Sequence, residues 1–180
     1  AVTNGEGYRV VEKDNNLRYA AGLSLFPVKN TILRIYADVY NDDEKTRDEL
    51  PEGITGINHR NQYTLALFAG YRNERISAGA EFNRVYNKGF TAQKDYYGFS
   101  LYASVSVADK WRVFGRFDQL DSHTPEQFTE PWNNDDGNLI VAGVEFRPFR
   151  QLKIAPNFRT QNPSRAASEQ YLFVNLEFNL

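Results

Sequence analysis

The stretch that decides the fold is YYGFSLYASVSVA, residues 96–108. Tyr97, Phe99, Leu101, Ala103, Val105 and Val107 fall on one side of an extended chain, and Gly98, Ser100, Tyr102, Ser104 and Ser106 on the other. Strict alternation of this length is the mark of a β-strand with one apolar and one polar face. Two residues later the pattern resumes. Trp111, Val113, Gly115 and Phe117 oppose Arg112, Phe114, Arg116 and Asp118, so Asp109–Lys110 reads as a tight turn in a hairpin.

Working outward, the alternation recurs along nearly the whole chain, over 17–28, 31–41, 62–72, 76–83, 139–147, 152–159 and 171–180. Nine strands are thus marked, and no segment has helical spacing. The connections alternate in length. Short ones lie near Pro27–Asn30, Asn73–Arg75, Asp109–Lys110 and Pro148–Arg150, and long polar ones at 42–61, 84–95, 119–138 and 160–169. Tight turns on one side of a membrane and longer loops on the other give an outer-membrane barrel this rhythm, and a soluble meander has no need of it. Aromatic residues also bracket the apolar side. Tyr63 and Tyr71 enclose Leu65, Leu67 and Ala69, and eight residues at the usual rise and tilt span about 20 Å of height.

Composition sets outer bounds. The 180-residue chain has a net charge of −2, 41% hydrophobic residues and a mean hydropathy of −0.60. There is no basic excess to attract nucleic acid. Polar bulk character is compatible with a barrel, whose strands need an apolar residue only at alternate positions. Absence of cysteine excludes disulfides and thiolate metal sites. No run approaches the roughly 18 apolar residues of a membrane helix. No methionine is present, so the reading expects a processed chain or a fragment. Strand parity agrees. An odd count is at variance with even-stranded single-chain barrels, and AVTNGEGY at 1–8 reads as the end of a strand entering a loop, with GYRVVEK at 7–13 the weaker claimant for a tenth strand.

The expected fold is therefore all-β: an antiparallel up-and-down transmembrane β-barrel with about nine to ten strands present, residues 1–180 forming a single domain that is the C-terminal portion of a larger even-stranded barrel. A soluble barrel with a dry interior is the rival. It is disfavoured by the small residues Gly22, Ser24, Gly70, Gly79, Ser100 and Ser104 on the polar side, which suit a wet lumen.

If the polar side lines a pore, its cations are Arg18, Arg34, Arg72, Arg112, Arg116, Arg147, Lys153 and Arg159, and its acids are Asp38, Glu81, Asp118, Glu145 and Glu177. Such charges bias which solutes pass, and the basic surplus points to a mild anion preference. The competing expectation is that these charges pair across neighbouring strands, Arg116 and Asp118 beside Glu145 and Arg147, and stiffen the wall instead. No catalytic site is expected: His59 and His123 fall in long connections without a partner at a recognisable spacing. Asn133–Gly137 looks like a calcium loop but lacks the downstream glutamate, and reads as a polar turn. The acids Asp42, Asp43, Glu44, Asp48 and Glu49 read as a solvated loop.

The segments QYTLALFAGY (62–71), VFGRFDQLDS (113–122), PWNNDDGNLIVAGVEFRPFRQLKIAPNFRTQNP (131–163) and YLFVNLEFNL (171–180) resemble the C-terminal half of porins of the phosphate-selective O/P-type family, most strongly over 111–180. The resemblance implies an outer-membrane porin that passes small hydrophilic solutes or ions without a cofactor. Its surroundings would be outer-membrane lipid and lipopolysaccharide, and a homo-oligomer stays open. The closing strand is similar to the signal read by the barrel-assembly machinery, although it ends in Leu180 with Phe178 two places earlier. Phosphate selectivity is not carried over, since no dedicated arginine ladder is matched. The alternative is a ligand-binding or structural barrel without an open pore.

Overall fold

Alternating side chains leave the backbone free to pair on both edges, and the chain uses this to build one continuous antiparallel sheet. The structure, a computed structural model, describes residues 1–4, 17–42, 44, 47, 49 and 54–179. The strands are β1 (Val2–Asn4), β2 (Leu17–Leu25), β3 (Thr31–Tyr40), β4 (Gln62–Arg72), β5 (Ile76–Tyr86), β6 (Asp95–Ala108), β7 (Trp111–His123), β8 (Gly137–Phe149), β9 (Leu152–Pro163) and β10 (Glu169–Phe178). Each pairs only with its neighbours in the chain, in the order β1 to β10. This is an up-and-down wall, and it is open, with β1 and β10 at its two edges. The short β1 agrees with AVTN as a strand end, while GYRVVEK lies outside the described residues.

The alternation located every long strand but stopped short at the ends. β7 continues five residues past Asp118, and its Gln119–His123 pairs with Asp95–Phe99 of β6. His123 is therefore the last residue of a strand, not part of a loop. β5, β8, β9 and β10 likewise extend into stretches read as connections. The reason is physical. Backbone hydrogen bonds do not require an apolar partner, so the ladder runs on after the hydrophobic rhythm has ended.

The turns are local constructions. At Asn73 the side-chain Oδ1 accepts from the amides of Arg75 (2.9 Å) and Ile76 (2.7 Å), an Asx-turn that reverses the chain. Asn30 takes a positive φ of 69° between β2 and β3. Only Asp109 and Lys110 separate β6 from β7, and a register shift between Ser106 and Ala108 closes that hairpin.

Register fixes what each face carries. One transverse row reads Tyr71, Ala78, Ala103, Gly115, Ala142 and Phe158, and another reads Arg34, Phe68, Glu81, Ser100, Asp118, Leu139 and Gln161. Apolar positions thus meet apolar positions across the whole sheet. The apolar face is left uncovered. Leu23 (55% exposed), Leu101 (43%), Val174 (62%) and Leu176 (61%) all stand out from it. Deep burial is found instead on the polar face, at Asp38, Gln62 and Asn157, so the sheet bends with its polar face inside. Aromatic side chains flank the apolar band at both ends. Tyr19, Tyr63 and Tyr97 lie towards the long connections; Tyr71, Trp111 and Phe178 lie towards the short ones, with Trp111 stacked on Phe146 at 4.4 Å.

The inner side leaves no room for a side chain at Gly143. A Cβ there would lie 2.5 Å from Phe114 Cζ, 2.7 Å from Asn157 Cβ and 2.7 Å from the Pro156 carbonyl oxygen. The last two cannot swing aside as a ring can. Gly143→Ala is expected to destabilise the sheet by about 1–3 kcal/mol, read as a lowered urea midpoint of the folded protein.

Candidate functional site

Every charged residue assigned to the polar side by alternation lies on the concave face, by parity with the register rows. Pairing organises these charges without neutralising the surplus. Arg116 Nε meets both Asp118 carboxylate oxygens (2.9 and 2.7 Å). Arg147 meets Glu145 at 3.2 Å, Lys153 meets Glu177 at 2.8 Å across β9 and β10, and Arg18 stands 3.8 Å from Asp38. Two of these pairs join residues two apart on one strand, not residues of neighbouring strands as expected. Partly exposed pairs of this kind contribute on the order of 0–1 kcal/mol each.

Four acids are thereby matched to four cations. What remains is Arg34, Arg72, Arg112 and Arg159, none with a carboxylate within 4 Å among the described residues, against the single acid Glu81. Three of these arginines are held by neutral groups. Arg34 Nε donates to Ser24 Oγ (3.0 Å), and Arg112 donates to Ser104 and Ser106 (3.0 Å each). Arg159 donates to Asn157 Oδ1 (2.9 Å) and lies 4.4 Å from the centroid of the Phe173 ring. The two sequence expectations are compatible: pairing proceeds, and the excess positive charge survives at defined places.

At the long-connection end the loops fold inward. Phe90 and Thr91, 2% and 0% exposed, form the centre of a small cluster with Tyr40 and Val85. Phe90 meets the Tyr40 ring edge-on at 4.9 Å. Two neighbouring loops are joined there: Arg60 N donates to Phe90 O and Ala92 N to Asn58 O (both 2.9 Å), and His59 bridges Thr91. From the wall, Gln62 Oε1 accepts from Gly89 N (3.0 Å), and Asn87 Nδ2 donates to Asn61 O (2.9 Å). The β7–β8 connection joins in through Trp132, over whose ring Lys94 Nζ sits at 5.0 Å. Phe90 itself holds a left-handed φ of 63°, a strain of order 1–3 kcal/mol that these contacts offset. This assembly had no legible signal beyond the turn residues Asn87 and Gly89.

Asp136 accepts from Ser122 Oγ and Asn133 Nδ2 as part of the turn into β8. Among the described residues no group of acids and histidines is placed to hold a metal; Asp43 and Asp48 lie outside them. Comparison with protein-family models, with curated proteins and with solved structures found no match.

Asp42 is anchored by Arg47 through two hydrogen bonds (2.8 and 2.7 Å). The guanidinium holds its carboxyl below the ordinary aspartate range. A depressed folded-state pKa means that this anchoring is fully present above the ordinary value near 3.9 and is lost as pH falls through the lowered one. In an NMR titration the Asp42 carboxyl is expected to have its midpoint below about 3.9, and Arg47→Gln should bring it back up.

Proposed function

We propose that this chain is part of the wall of an outer-membrane β-barrel porin, a passive channel for small hydrophilic solutes and ions. The observation that carries the reading is the pairing of an uncovered apolar convex face with a charged concave one. In water the exposed face would be costly. Against lipid, with an aromatic girdle at each end, it is the stable arrangement, and strands alone can cross because neighbouring strands satisfy each other's backbone groups along the sheet. The family resemblance over 111–180 supports the same reading, with the bacterial outer membrane, lipopolysaccharide and the assembly machinery as its setting.

The full-length protein in liposomes is expected to admit small sugars in a swelling assay, and absence of flux would remove the pore. The arginines without carboxylate partners should give an anion-leaning reversal potential in planar bilayers; a cation-leaning one would overturn that part. Face assignment has its own test. Leu101→Arg is expected to cost about 2–4 kcal/mol of stability in vesicles, as charge does at the midplane of a lipid-facing wall, whereas Ser100→Arg next to it should be tolerated.

A second reading, a barrel whose lumen is closed, is favoured by the inward-folded cluster around Phe90. Under it, Phe90→Ala would switch on conductance in an otherwise silent protein; under the porin reading it only enlarges an existing conductance.

A further inference from the structure

Three adjacent strands enclose a recess on the concave face, with a volume of about 240 Å³, lined by Arg34 and Tyr36 of β3, Ala66 and Phe68 of β4, and Glu81 and Asn83 of β5. These six residues are two successive register rows, Arg34–Phe68–Glu81 and Tyr36–Ala66–Asn83. The recess exists because β4 offers little height between its neighbours. Ala66 is a single methyl, and the Phe68 ring folds back over Gly70, whose missing Cβ would lie 2.8 Å from Phe68 Cζ.

The two walls differ in sign, and neither is satisfied. Arg34 uses Nε on Ser24, leaving both terminal nitrogens without a partner among the described residues. Glu81 accepts at Oε1 from Asn83, which orients the carboxylate and leaves Oε2 open. It is the one acid of the concave set with no cation within 4 Å among the described residues. Tyr36 is already committed to Asp38 at 2.8 Å. The recess beyond Glu81, lined by Ser100, Arg116 and Asp118 among others, differs because its arginine is already bound to its own aspartate. β3 and β5 are two sheet spacings apart, about 9.6 Å. A ligand that satisfies both walls must carry a carboxylate and an ammonium well separated along its length. A free amino acid holds these charges too close together. A dipeptide, at about 3.5 Å of reach per residue, spans most of that separation, which Ser24 preserves by holding Arg34 towards β2.

We propose that this recess is a binding station for short zwitterionic peptides, the carboxylate on Arg34, the ammonium on Glu81 and the backbone lying over Ala66 and Phe68. It rests on the porin reading, which makes the concave face a solute path. The test is saturation-transfer NMR on the full-length protein in detergent micelles, with glycylglycine, N-acetylglycylglycine, glycylglycinamide and glycine as probes. Glycylglycine should half-saturate at a concentration about fivefold lower than any of the other three. Glu81→Gln and Arg34→Gln should each abolish that advantage, and the exchanged pair Arg34→Glu with Glu81→Arg should restore it. Equal transfer from all four probes, or an advantage unchanged in Glu81→Gln, would overturn the station. Liposome swelling in a neutral sugar, read on the same protein, separates the two ideas. Sugar flux without peptide preference overturns the station and leaves the pore, whereas peptide preference without sugar flux supports the station and removes the pore.

Discussion

Everything in this molecule depends on register. A β-strand turns alternate side chains to opposite sides, so slipping any one pairing by a single residue would move its leucines inward and its arginines outward. With nine long strands paired in sequence, an uncorrected slip would propagate to every strand beyond it. The turns set the phase. Asn73 closes its hairpin through its own side chain, and the bulge beside Ala108 absorbs the odd residue that a two-residue turn would otherwise pass on. Two chemically distinct faces are the result, and the charge pattern, the girdles and the recess on the concave side all follow from them.

That dependence also explains what could be read from the sequence. The face of each charged residue was legible, because parity is a property of the chain itself: Arg72 and Glu177 fall where counting by twos places them. Strand ends were not, because Gln119, Asp121 and His123 extend β7 through backbone bonds that leave no hydrophobic trace. Partner choice was half legible. Opposite signs on adjoining strands announced that pairs would form, yet Arg116 took the aspartate two places along its own strand, where a short reach costs little side-chain freedom. The cluster around Phe90 was hidden apart from its turn residues, since it joins segments thirty or more residues apart by backbone amide and carbonyl contacts that any residue could make.

Charge on the concave face is best understood by separating its amount from its location. Ion pairs leave the total unchanged; they make short-range dipoles of Arg116–Asp118, Arg147–Glu145 and Lys153–Glu177. Beyond a few ångströms in salt water such dipoles fade. The field near the concave face is then governed by the arginines held on serine and asparagine, by Arg72 and by Glu81. Neutral hydroxyls and amides fix a guanidinium in place without cancelling it. The serines of the smooth wall thus have an electrostatic consequence as well as a steric one.

Because each strand among the described residues pairs only with its neighbours in the chain, the sheet is a series of hairpins added edge to edge. Such an architecture can gain or lose a hairpin without disturbing how the remaining strands pair. The inward-folded loops modify that freedom. By tying the β3–β4 and β5–β6 connections together through His59, Arg60, Phe90 and Thr91, they weld two hairpins into one four-stranded block. A hairpin gained or lost inside that block would break these contacts, whereas one at the β9–β10 edge would not, so tolerance to such changes is uneven along the sheet.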